Sequence, residues 1–161
     1  MAEPAIFNAS PLIFLAEADS ADIARVAGFP LQVPQAVVDE IERFGPSDTA
    51  SRAIRQWDWL TVVDPGPAPA ILERWDLGPG ETSVLTWALA HADTTAILDD
   101  LSARRCATSL GLPVRGTLGL VLTAKRRGLI PEARPIVERL RAAGMYLSGG
   151  VMKRALSMIG E

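Results

Sequence analysis

Short apolar runs alternate with stretches of helical spacing along the whole chain. Ala5-Ile6-Phe7 has the pattern of a buried strand and stops at the polar turn Asn8-Ala9-Ser10-Pro11. Leu12, Ile13, Leu15 and Ala16 then line one helical face, with Pro11 at an early helical position. Helical character is predicted to continue from Asp19 to Val26 and to stop at Gly28. Leu31-Gln32-Val33 forms a second strand closed by Pro34, and Val37, Val38, Ile41 and Phe44 mark an amphipathic helix from Gln35 to Gly45-Pro46. Ser47 is the expected N-cap of a helix through Ala53, Ile54 and Trp57. Leu60-Val63 is a third strand, and Pro65-Pro69 a stiff connection into a short helix at Ile71-Trp75. Glu81 opens a helix with Val84, Leu85, Ala88 and Leu89 on one face, leading into strand four, Thr94-Leu98, and the pair Asp99-Asp100. A basic helix over Ser102-Leu110, a brief strand Pro113-Arg115 and three further helices complete the chain. Strands apolar on both faces and alternating with helices predict an α/β fold: an α/β/α sandwich around a mostly parallel sheet of about five strands.

The length, 161 residues, suits one domain over 1–161, with a C-terminal helical extension from about residue 131. No apolar run approaches the roughly 20 residues of a membrane-spanning helix, and Met1-Ala2-Glu3-Pro4 lacks the basic start of a secretory signal. The expectation is a cytoplasmic protein without membrane contact. One cysteine, Cys106, and one histidine, His91, exclude an internal disulfide, a cysteine-based zinc site and His-rich metal sites. The net charge of −3 hides a segregation: residues 1–100 hold 16 acidic and 5 basic side chains, residues 101–161 hold 3 and 11. Such asymmetry points to a nucleic-acid or other polyanion surface, or to attraction between the two parts of one fold.

Open α/β sheets bind ligands beyond the carboxyl ends of their strands, at a topological switch point. Asn8 and Ser10 follow strand one, Asp99 and Asp100 follow strand four, and Glu81 starts the helix before strand four. Glu40 shares the helical stripe of Val37, Ile41 and Phe44, which turns it inward or along the edge, whereas Asp39 and Glu42 fall off that stripe. An inward carboxylate is costly unless paired or bound to metal. Oxygen donors without histidine or cysteine suit Mg²⁺ or Mn²⁺, which can polarise a phosphodiester and position water. In the plainer alternative Glu81 complements a helix dipole and Asp99 caps the next helix.

These motifs resemble the PIN domain. Ile6-Phe7-Asn8-Ala9-Ser10-Pro11-Leu12-Ile13 and Val33-Pro34-Gln35-Ala36-Val37-Val38-Asp39-Glu40-Ile41 are similar to its opening. Gly80-Glu81-Thr82-Ser83-Val84-Leu85 and Leu98-Asp99-Asp100-Leu101-Ser102-Ala103-Arg104 are similar to its later acidic motifs, and Gly111-Gly119 to the segment that follows them in one bacterial and archaeal group. The resemblance covers about Ala5 to Arg141 and implies a Rossmann-like sandwich and metal-dependent cleavage of single-stranded RNA. It implies Glu40, Glu81 and one of Asp99 and Asp100 as catalytic metal ligands, with Asn8 also at the metal, and Ser10 steadying metal or phosphate. Many bacterial relatives are toxins restrained by a small antitoxin protein. Asn8 departs from the pattern, since aspartate is usual there; its carbonyl oxygen can still ligate but brings no charge.

Arg104 and Arg105, close in sequence to the acidic motifs, are candidate RNA phosphate contacts, with a surface salt bridge as the plainer alternative for Arg104. Trp57, Trp59, Trp75 and Trp87 fit core or homodimer packing better than base stacking. His91 reads as a helix-end residue and Cys106 as an inert core thiol. Three readings remain: a Mg²⁺- or Mn²⁺-dependent ribonuclease of toxin type; a catalytically weakened PIN-fold protein acting through RNA or an antitoxin-like partner; and a phosphatase or nucleotidase on a related sheet.

Overall fold

A computed structural model describes residues 2–161. Five parallel strands form one sheet: β1 (Ala5–Phe7), β2 (Leu31–Pro34), β3 (Leu60–Val63), β4 (Thr95–Ile97) and β5 (Val114–Arg115), in the order β3-β2-β1-β4-β5. Nine α-helices surround it in the described chain. They are α1 (Ala9–Glu17), α2 (Gln35–Glu42), α3 (Thr49–Gln56), α4 (Ala70–Glu73) and α5 (Pro79–Ala90), then α6 (Leu101–Ser109), α7 (Thr117–Arg126), α8 (Arg134–Ala142) and α9 (Gly149–Ser157). β1 is wholly buried, as expected for a central parallel strand covered on both faces. Its register with β2 (Ala5 opposite Leu31) and with β4 (Phe7 opposite Ile97) brings the carboxyl ends of β1 and β4 side by side. The chain winds outward from β1 to β2 and β3, then returns to add β4 and β5 on the other side. The switch point therefore lies between β1 and β4.

Ile6, Phe7, Leu12, Leu15, Ile97, Leu98, Leu120 and Leu140 are among the large side chains fully removed from solvent. Ile136, Val137 and Leu140 bury one face of α8, and the Glu161 carboxylate accepts hydrogen bonds from the Ala133 and Arg134 amides at that helix's start (2.8 and 3.0 Å). The four tryptophans are half-buried against the core.

Several boundaries differ from the sequence expectation. The helix predicted across Asp19 to Val26 is broken: α1 ends at Glu17, Asp19 takes φ +51°, and Ala21–Ala27 forms a 3₁₀ helix. Gly28 follows at φ +154°, where a side chain would collide with the Glu3 carbonyl, so the stop at that glycine is steric. Phe44 leaves the apolar stripe because α2 ends at Glu42, and the residue is 64% exposed. Asp48, not Ser47, caps α3, accepting from the Ser51 amide at 3.0 Å. Among the described residues no helix is long and apolar enough to cross a membrane.

Candidate functional site

Asn8 leaves β1 as the N-cap of α1, a position where asparagine ordinarily accepts a hydrogen bond from the first helical turn. Here it makes no such cap bond. Its backbone amide donates to the Ile97 carbonyl (3.1 Å), and its side chain turns across the strand ends. Nδ2 donates to Glu81 Oε1 at 3.2 Å, while Oδ1 is buried without a hydrogen-bond partner. An orphaned carbonyl oxygen inside a fold is costly and marks a place where a ligand or cation is expected.

Glu81 reaches this spot because Pro79 starts α5 and puts the carboxylate in the first helical turn, where the dipole favours negative charge. Gly80 lets the walls close. A Cβ there would stand 2.8 Å from both Asn8 Oδ1 and Glu40 Oε2, so only glycine leaves the cradle open. Glu40 comes from α2, one turn after buried Val37, and lies on the rim rather than inward; the residue as a whole is exposed. Partial desolvation, and next the negative charge of Glu81, raise its pKa above the ordinary carboxyl value, with Arg43 pulling the other way. Glu40, Glu81, Asp39 and Arg43 share a cleft of about 240 Å³. Asp39 is turned to Gln35 Nε2 (2.8 Å) on the exposed side.

The other wall rises from β4 and β5. Asp99 Oδ1 accepts from the Thr117 amide (2.8 Å) and Oδ2 from the Thr117 hydroxyl (2.7 Å), so Asp99 closes the N-terminus of α7 from across the sheet. Burial raises its pKa, opposed by these two hydrogen bonds and by Arg104. Gly116 holds Arg104 and Asp99 together: a Cβ there would lie 2.7 Å from Arg104 Nη1 and 3.1 Å from Asp99 Oδ1.

Of the residues singled out in the sequence, Asn8, Glu40 and Glu81 meet at one point, and Asp99 with Arg104 forms the neighbouring wall. Asp100, not Asp99, caps α6, accepting from the Ala103 amide at 2.9 Å. Ser10 sits half-buried in the first turn of α1 and makes no side-chain hydrogen bond among those of the described residues. Arg105 is exposed on α6. His91 ends α5, and its Nδ1 meets the Trp87 carbonyl at 3.0 Å. Cys106 is buried, which pushes its thiol pKa up. Sequence reasoning missed Arg43, Thr117 and the two glycines. Arg43 was open to discovery as the residue one turn beyond Glu40, and Gly80-Glu81 and Gly116-Thr117 as glycines just before polar helix starts.

Among the described residues no three Asp, Glu, His or Cys side chains converge as a metal-binding group. The convergence at Asn8 is two carboxylates and one amide carbonyl, an all-oxygen donor set with two negative charges. Such a set fits a hard divalent cation that retains waters, and the orphaned Oδ1 is the donor left without another role. A family model, DUF3368, described as a PIN domain, matches residues 4–161, and the chain belongs to that family. No curated protein matches the chain.

Proposed function

We propose that this PIN-domain chain is an endoribonuclease that uses Mg²⁺ or Mn²⁺ to hydrolyse phosphodiesters of single-stranded RNA. The PIN domain is a nuclease fold, generally of ribonucleases and generally divalent-metal dependent. The observation that carries the reading for this chain is the unpartnered Asn8 Oδ1 beside Glu40 and Glu81 at the switch point. Asn8 Oδ1, Glu40 and Glu81 would hold the ion; Asp99, whose two oxygens accept from Thr117, and Asp100, which caps α6, would add negative charge beside it rather than a ligand. When bound, such an ion would supply charge stabilisation at a phosphodiester and would make water more acidic. The chain's own residues do the rest. Asn8 Nδ2 orients Glu81, Glu40 keeps the rim acidic, and Arg104 offers a cation to an adjoining phosphate, with Ser10 and Arg105 as further substrate contacts. In this proposal the protein acts in the cytoplasm as the toxin of a toxin–antitoxin pair, as a homodimer restrained by a small antitoxin protein; the support is the family resemblance of its motifs.

A second reading is favoured by one observation. The Asn8 amide already gives Glu81 one hydrogen bond at 3.2 Å without any cation, which suits a PIN-fold protein with weakened chemistry that works by binding RNA or an antitoxin-like partner. Cleavage of a labelled single-stranded RNA in Mg²⁺, Mn²⁺ or EDTA separates the two. The nuclease reading expects metal-dependent cutting by the wild type, reduced on the order of 100-fold or more in Glu81→Gln, at least the loss seen when a ligand's supporting partner is removed. A silent wild type with an active Asn8→Asp variant would establish the weakened form. Silence from all three would end the nuclease reading.

A further inference from the structure

The end of the sheet opposite the acidic cleft is basic. A pocket of about 270 Å³ opens beside the start of β4, with Arg25, Arg115 and Arg127 in its wall together with Glu3 and Thr95. The three arginines come from the 3₁₀ helix, the edge strand β5 and the end of α7, so only the fold gathers them. None pairs with a carboxylate: the ion pairs among the described residues are Arg55–Glu42 and Lys125–Glu161. Two of the guanidinium groups are tethered. Arg127 Nη1 donates to the Val26 carbonyl (3.4 Å), and Arg25 lies 6.0 Å over the Trp59 ring. Three unneutralised cations around one concavity, against a single acidic side chain in its wall, ask for an anion. Guanidinium forks match phosphate oxygens in particular.

The position of the pocket tells which kind of phosphate. Thr95, in its wall, and Asp99, just beyond the carboxyl end of β4, are four residues apart in sequence, roughly 13 Å at the rise of an extended chain. Arg115 immediately precedes Gly116, over which Arg104 meets Asp99. Arg104 on α6, beside Asp99, and Arg115 on β5, in the pocket, thus put a cation towards each end of this edge of the sheet, a separation that a strand of several nucleotides could span and a single phosphate could not.

We propose that the Arg25–Arg115–Arg127 pocket binds backbone phosphates of single-stranded RNA outside the cleft, holding the strand along the β5 edge. This rests on the RNA reading of the cleft but not on its chemistry. The test is fluorescence anisotropy in EDTA, without cleavage, across a salt series. It uses one short RNA that spans only the cleft and one long enough to reach the pocket. The triple variant Arg25→Ala/Arg115→Ala/Arg127→Ala is compared with Arg74→Ala/Lys153→Ala/Arg154→Ala, which removes the same charge elsewhere on the surface. For the long RNA, the pocket variant should flatten the slope of log K against log salt by about 2, at about 0.7 for each single-strand phosphate no longer neutralised. The short RNA and the control variant should keep the wild-type slope. An unchanged slope, or equal flattening by both variants, would overturn the pocket. So would wild-type binding of inorganic phosphate that the pocket variant loses while its RNA slope stays intact, which would mark a small-anion site. A wild type that binds neither RNA at low salt would overturn the RNA reading along with it. A flattened slope in a protein that never cuts would leave the pocket standing and remove only the nuclease.

Discussion

The two walls of the cleft set the same chemical group in contrasting surroundings. On the β4–β5 wall, burial opposes ionisation of Asp99, but Thr117 gives it two hydrogen bonds and Arg104 a nearby positive charge. On the β1–β2 wall, partial burial and then the neighbouring carboxylate of Glu81 oppose ionisation of Glu40, and only Arg43 acts the other way. Asn8 Nδ2 gives Glu81 one hydrogen bond, and Asn8 Oδ1 receives none. One carboxylate is committed to joining α7 to the sheet. The other two are left incomplete. Incompleteness of charge and hydrogen bonding, not the mere presence of acids, distinguishes a wall that awaits a ligand from one that is already finished.

The contrast breaks most visibly at Asp99. Asp99→Ala leaves the fully buried Thr117 amide and hydroxyl without their acceptor, and should cost about 3 kcal/mol of stability in urea unfolding, whether or not Mn²⁺ is present. A loss below about 1 kcal/mol would mean that this wall is not held by Asp99.

Asn8→Asp tests the opposite wall. It replaces an amide donor 3.2 Å from Glu81 Oε1 with a second negative charge. In EDTA the variant should lose about 2 kcal/mol, the worth of a hydrogen bond to a charged group, and Mn²⁺ should restore its melting temperature by more than it raises that of the wild type. Identical melting of the two proteins in EDTA would show that the amide does not relieve Glu81.

The smallest effect sharpens the comparison through pH. The pKa of Glu40 is raised in the folded protein, so its contribution to stability is complete below the ordinary carboxyl range, about pH 4, and is lost as pH rises through the raised value. Glu40→Gln cannot ionise. In metal-free buffer its stability relative to wild type should therefore increase from pH 4 towards neutrality, modestly, because Glu40 is exposed to screening solvent. A difference that stays flat with pH would mean that neither burial nor Glu81 raises the Glu40 pKa.

Much of this was legible in the residues. β1, β2 and β4 lie at their apolar runs, because a short stretch buried on both faces admits few polar residues, while the edge strands β3 and β5 are partly exposed. Asn8, Glu81 and Asp99 stood out because each is polar where a strand ends or a helix begins, and Glu40 because it shares the apolar stripe of its helix. What failed were judgements that depend on a single turn of backbone. Phe44 was assigned to a buried stripe that α2 does not continue far enough to form. Asp99 and Asp100 are adjacent and chemically identical; one faces Thr117, 18 residues away in sequence, and the other caps its own helix. Nothing local distinguishes them. Arg115 and Arg127 could be noted as basic, but their meeting with Arg25 depends on β5 and α7 arriving beside the 3₁₀ helix.

The sequence by itself determined the alternation of strands and helices, the family, and the kinds of side chain available at the strand ends. These follow from burial periodicity and from residue chemistry, both of which act over a few neighbouring positions. Tertiary structure alone decided which acid is satisfied and which is left open, and that three arginines line one pocket without an ion pair among the described residues. Those outcomes turn on distances between residues well separated in sequence, and such distances are set only when the sheet order β3-β2-β1-β4-β5 and the packing of its helices are fixed.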